Sequence, residues 1–165
     1  MKFRYLLVQA MLCLVALVNG SAALAAEPLS DATAVRQVLM AAFDKPEARL
    51  QVEPVVTVGA HAVAGWTQGD RGGRALLHKD RKGWAIVLCA GDGLKDAKLL
   101  REAGVPSAQA TTLAQSLAKA EAALPAAQRA KFATFDGVVR MDAAGQHPPS
   151  HAPAHAPSGG SAHKH

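Results

Sequence analysis

Apolar and polar positions alternate with two different periods along the middle of this chain. Between residues 30 and 43, the apolar residues Val35, Val38, Leu39, Ala42 and Phe43 follow the i, i+3, i+4, i+7, i+8 spacing of one helix face. That predicts an amphipathic helix, with Ser30 placed to cap it and Asp44-Lys45-Pro46 to end it. From residue 50 to residue 89 the period drops to two. Val52, Val55, Val56 and Val58, then residues 62–68, 74–78 and 84–89, are rich in β-branched or aromatic side chains. Gly59, the Gly69-Asp70-Arg71-Gly72-Gly73 cluster and Asp80-Arg81-Lys82-Gly83 separate them. Breaks this short fit hairpin connections and predict a four-stranded antiparallel meander. One face is expected to pack on helices and the other to be partly wet.

The helical period then returns. Asp92 is placed to cap a helix running through Leu94, Ala97, Leu100 and Ala103 to Gly104, a C-terminal stop. Ser107 is expected to cap the next, in which Leu113, Leu117, Ala120 and Leu124 repeat before Pro125. A short last helix is expected over 126–135, ended by Asp136-Gly137. Strands in one run with helices grouped before and after them indicate an α+β fold, not alternating βαβ units.

Both ends of the chain depart from this pattern. Lys2 and Arg4 precede an apolar stretch of 14 residues, 5–18, and Ala23-Leu24-Ala25 supplies the small-x-small pattern of a cleavage site. The stretch falls short of the roughly 20 apolar residues needed to span a bilayer, so residues 1–25 are expected to be a cleaved signal peptide and the protein periplasmic. Cys13 goes with that segment, leaving Cys89 alone and no internal disulfide to form. The other end, residues 143–165, has no Val, Ile, Leu or aromatic residue and carries Pro148, Pro149, Pro153 and Pro157. Such a segment cannot bury enough apolar surface to offset its ordering entropy and is expected to be a disordered tail. One α+β domain, residues 26–142, lies between.

The 165 residues carry a net charge of +5; losing Lys2 and Arg4 leaves 16 basic against 13 acidic residues, or +3. The basic residues form no stripe with interleaved aromatics, which argues against nucleic acid as a partner. Composition matters more in the histidines: five of the seven, His147, His151, His155, His163 and His165, fall in the last 19 residues. Imidazole is the commonest metal ligand at neutral pH, and nitrogen-rich sites favour copper(II) among divalent ions, with zinc and nickel still open. The intervening prolines forbid a helix that would align these side chains, so they would converge by chain flexibility into an exchangeable site.

Cys89 and Met141 are the further candidate metal ligands, since thiolate and thioether sulfur suit soft copper. Cys89 sits in the wholly apolar run Trp84-Ala85-Ile86-Val87-Leu88-Cys89, where a buried, inert thiol is the ordinary expectation. Trp66 and Trp84 are expected to fill the interface between sheet and helix. The glycine-rich run 68–73 lacks the lysine and following helix of a phosphate-binding loop.

The body also resembles the copper uptake system-associated proteins, small exported proteins of proteobacteria. The resemblance rests on Pro46-Glu47-Ala48-Arg49-Leu50 leading into Val52-Glu53-Pro54-Val55-Val56, on Gly65-Trp66-Thr67-Gln68-Gly69-Asp70, and on Gly72-Gly73-Arg74-Ala75-Leu76-Leu77. Gly83-Trp84, Val87-Leu88-Cys89-Ala90-Gly91-Asp92, Ala103-Gly104-Val105-Pro106 and Phe135-Asp136-Gly137-Val138-Val139 extend it. It implies an accessory role in periplasmic copper uptake or handling, beside copper chaperones and copper transport proteins, and it assigns no ligands.

The expected function is therefore non-enzymatic: copper capture by the tail histidines, with the body docking a partner. The alternative is a small exported binding or inhibitory module whose antiparallel sheet engages a protein or small ligand. An apolar cavity lined by Trp66 and Trp84 would favour it. A thiol enzyme pairing Cys89 with His61 or His78 would need nucleophile and base within hydrogen-bond reach.

Overall fold

The computed structural model describes residues 29–141; the expected signal segment and the histidine-rich segment lie outside the described residues. The chain forms α1 (Asp31–Phe43), β1 (Leu50–Val58), β2 (His61–Gln68), β3 (Arg71–Asp80) and β4 (Gly83–Ala90). A 3-10 turn (Asp92–Lys95), α2 (Ala97–Glu102), α3 (Ser107–Ala122), α4 (Ala126–Phe132) and β5 (Val138–Arg140) follow. The architecture is α+β, built on one antiparallel sheet in the order β1-β2-β3-β4-β5.

The meander gains a fifth strand. β5 pairs Val138 with Ala90, Val139 with Cys89 and Arg140 with Leu88. Three residues after a turn give too little periodicity to predict a strand; only the free edge of β4 makes them one. β3 is also longer than its pattern, because Gly72 and Gly73 lie inside it and not in the turn. The backbone of α4 and the indole of Trp66 press on them: an added Cβ would sit 3.0 Å from the Lys131 carbonyl oxygen at Gly72 and 2.9 Å from Trp66 at Gly73. The single helix expected after Asp92 divides into the 3-10 turn and α2, whose side-chain cap is Asp96, accepting from the Lys98 N–H at 2.8 Å. Pro106, not Ser107, holds the N-cap of α3, and α4 ends at Phe132.

Both faces of the sheet are covered, so neither is wet in the middle. β2 and β3 are continuously buried from Ala62 to Gly65 and from Gly72 to Leu77, a pattern that strands show when helices lie on both sides. On one face Val35 and Leu39 of α1 pack with Ala62, Ala64, Leu77, Trp84 and Ile86. On the other, Leu100, Leu113 and Leu117 of α2 and α3 pack with Val63, Leu76 and Leu88. Irregularities shift the alternation. The register of β1 slips between Val52 and Val55, so both point to the α1 face while Val56 and Val58 point away. A second slip opposite Leu76 and Leu77 makes Val87 an extra residue, which puts Cys89 back on the α1 face with Trp84 and Ile86.

A buried ion pair occupies the core of the second face. Arg74 is 1% exposed and donates from Nε and an Nη to the Glu121 carboxylate, at 2.6 and 2.7 Å. Its other Nη donates to Asp92 at 3.1 Å, and the guanidinium lies 5.2 Å from the centre of the Phe132 ring. β3, the 3-10 turn, α3 and α4 thus meet at one cation. Removing one partner of a buried pair leaves an uncompensated charge and costs about 3–5 kcal/mol. Glu121→Gln is therefore expected to lower the unfolding free energy by about 3 kcal/mol, read from denaturant midpoints. Asp92→Asn, at an exposed partner, costs under about 1 kcal/mol. The double change Arg74→Met, Glu121→Leu recovers most of the loss.

Candidate functional site

The α1 face does not close completely. Between the end of α1 and the β4-β5 edge, Phe43, Leu50, Trp66, Cys89, Phe135 and Met141 line a cavity of about 360 Å³. Each wall has a local cause. Trp66 faces this way because it shares parity with Ala62 and Ala64, and Phe135 meets its ring edge-on, 5.8 Å between centres at 87°. The polar contributors are Lys45 and Gln68. Gln68 Nε2 donates to the carbonyls of Phe43 and Ala48 at 2.9 and 2.7 Å, pinning the turn after α1 to the rim.

The structure brings two of the sequence candidates together here. Cys89 is held on β4 opposite Ala75 and Val139, and Met141 follows β5, its N–H donating to the Val87 carbonyl at 3.0 Å. They differ chemically. The Cys89 side chain is 3% exposed, and burial pushes its thiol up to about 12, so at neutral pH it is a protonated, weak ligand. The Met141 thioether has no proton to lose. The five tail histidines, His147, His151, His155, His163 and His165, lie outside the described residues. Among the described residues, no three His, Cys, Asp or Glu side chains come together as a metal-binding group, and no helix is long and apolar enough to cross a membrane.

The tryptophans separate. Trp84 stays out of the cavity: its Nε1 donates to Asp31 at 3.2 Å, and Lys79 lies 5.8 Å from its ring centre. The bond from Lys79, with the indole N–H second, holds the Asp31 carboxyl below its ordinary range. Trp66 Nε1, by contrast, is buried without a hydrogen-bond partner among the described residues. A buried donor left unsatisfied costs about 1–3 kcal/mol, and Trp66 also lines a second hollow of about 340 Å³ with Arg71, Thr134 and Asp136.

The thiol-enzyme pairing does not assemble. Cys89 packs on the α1 face. His61 and His78 lie directly opposite one another on β2 and β3 and share the parity of Val63 and Leu76, on the far face. Sequence spacing carries no sign of the polar rim, Lys45 and Gln68, because its partners come from the turn after α1. Compared with known proteins, the chain matches no family model, no curated protein and no solved structure.

Burial of Cys89 has a measurable consequence. Iodoacetamide at pH 8 is expected to label it only as fast as the protein unfolds, and at once in denaturant. Because its folded value of about 12 exceeds the ordinary 9.0, the unfolded chain loses that proton first, and this residue's contribution to stability falls as pH rises from about 9 toward 12. Rapid labelling of the folded protein would place the thiol at the surface.

Proposed function

We propose that this chain is a non-enzymatic accessory protein for copper uptake or handling, exported to the periplasm, that binds copper through its histidine-rich segment. The observation that carries the reading is compositional: five of seven histidines stand within the last 19 residues. A segment so rich in imidazole and so poor in apolar residues has metal binding as its readiest chemistry. The resemblance of the body to copper uptake system-associated proteins points the same way, and copper chaperones or copper transport proteins are the partners it suggests. The position of Met141 adds support. The last described residue before that segment lines a cavity with Cys89, where thioether sulfur is a soft ligand for copper(I). Cys89 contributes only where metal binding displaces its proton.

A second reading rests on Trp66. A cavity of about 360 Å³ with apolar walls and a buried indole N–H with no partner among the described residues suits a small apolar ligand that brings one hydrogen-bond acceptor. Trp84 does not line it, so the pair expected from sequence reduces to Trp66 with Phe135.

Calorimetric titration with copper separates the readings. The full chain is expected to bind copper more tightly, and more of it, than a chain ending at Asp142. Equal affinity and stoichiometry would overturn the role of the histidine-rich segment, and the absence of copper binding in both chains would leave the Trp66 cavity as the functional site.

A further inference from the structure

The two remaining histidines are not scattered. His61 and His78 face each other across the β2-β3 ladder, with ring centres 4.9 Å apart and planes inclined by 45°. They border a hollow of about 280 Å³ whose other walls are Leu76, Val87, Ala103 and Gly104. That lining contains no carboxylate. A stacked pair would lie parallel, and a pair held by a shared acid would need one; this pair has neither arrangement.

What holds His61 is a carboxamide. Gln109 Oε1 accepts from His61 Nδ1 at 3.0 Å, and because an amide oxygen only accepts, Nδ1 carries the proton. The remaining nitrogen, Nε2, then presents a lone pair. Fixing the tautomer and ring of a histidine through its other nitrogen is the device that orients metal-binding imidazoles. The backbone makes room for it: Gly59, at φ +60°, sits where a Cβ would come within 3.2 Å of the Gln109 amide nitrogen. Any residue larger than glycine at this turn would press on the group that orients His61.

The separation is the second observation. Two imidazoles bound to one ion at about 2.0–2.1 Å have ring centres about 4.5 Å apart at the right angle of a tetragonal site and about 5.2 Å apart at a tetrahedral angle, and the 4.9 Å found here lies between. We propose that His61, oriented by Gln109, and His78 form a two-imidazole site for a divalent transition-metal ion, copper(II) ahead of zinc(II) by the usual order for nitrogen ligands. The protein supplies two ligands and leaves the other positions to water or to an incoming donor. Such an open site exchanges its ion readily. His78 is exposed while His61 is half-buried, so the ion enters from the solvent side.

The site stands on body residues alone and goes beyond the capture assigned to the histidine-rich segment.

The test uses the full chain with His147, His151, His155, His163 and His165 all changed to alanine, titrated separately with copper(II) and zinc(II) salts by calorimetry. About one ion per chain is expected to remain bound. In that background His78→Ala, at an exposed position, is expected to lower affinity at least tenfold with the circular dichroism spectrum unchanged, and Gln109→Ala about tenfold. Long-range nitrogen NMR with zinc should shift Nε2 of His61 while its Nδ1 stays protonated. Absence of binding by the five-alanine chain, or equal binding by His78→Ala, would overturn this site. The tail reading fails on a different outcome, a five-alanine chain that binds as much copper, as tightly, as the unaltered one.

Discussion

Arg74 carries a permanent positive charge into the face of a sheet, and the structure on that side is arranged around neutralising it. The guanidinium is forked onto Glu121 of α3, reaches Asp92 in the 3-10 turn and rests against Phe132 of α4. Apolar contacts between β3 and these helices would tolerate small slides, since Leu on Leu has little directionality. A bidentate ion pair has one geometry. Any slip that parts Arg74 from Glu121 strands a desolvated charge at a cost of several kcal/mol, so the pair selects one seating of α3 and α4 on the sheet. Gly65 is part of the same constraint: a Cβ there would lie 2.9 Å from Phe132 and 2.7 Å from the Glu53 carbonyl oxygen.

With that face fixed, the candidate chemistry divides between the two sides of the sheet. Sulfur lies on the α1 side, where Cys89 and Met141 share a cavity with Trp66. Imidazole lies on the other side, at the end of the β2-β3 hairpin. The slip in register between β3 and β4 makes the division. Were Val87 paired in regular alternation instead of bulged, Cys89 would fall on the far face, with Leu88 taking its place against α1. The two sulfur side chains and the two imidazoles are thereby kept on opposite faces of the sheet.

Much of this fold is legible in the sequence because hydrophobic period is a local signal. The hairpin turns follow from Gly69 and Gly83, both at positive φ, and the stop at Gly104 from the same property. What escaped is non-local. β5 is a strand only because β4 has an edge to offer, and Gly72 and Gly73 look like turn residues until Trp66 and α4 are laid across them. The wet face predicted for the meander is absent because α1 covers one face of the sheet and α2 and α3 cover the other. Of the site, Cys89 was recognisable as buried from its apolar neighbours. The cross-strand pairing of His61 with His78, and the reach of Gln109 from α3, depend on hairpin register and on a contact 48 residues away in sequence. Arg74 and Glu121, 47 residues apart, read in sequence as ordinary surface charges.

Histidine is the thread through the functional account: five residues gathered in one apolar-poor segment, and two placed opposite each other on a rigid sheet. Imidazole in such numbers has little use in packing and a strong affinity for late first-row metals. The most direct measurement is the metal content of the full chain, purified without an affinity resin from copper-supplemented cells and assayed by plasma mass spectrometry. The account predicts copper retained at about one ion per chain or more, in excess of zinc and nickel. Protein that emerges free of copper, or loaded with zinc alone, would contradict it.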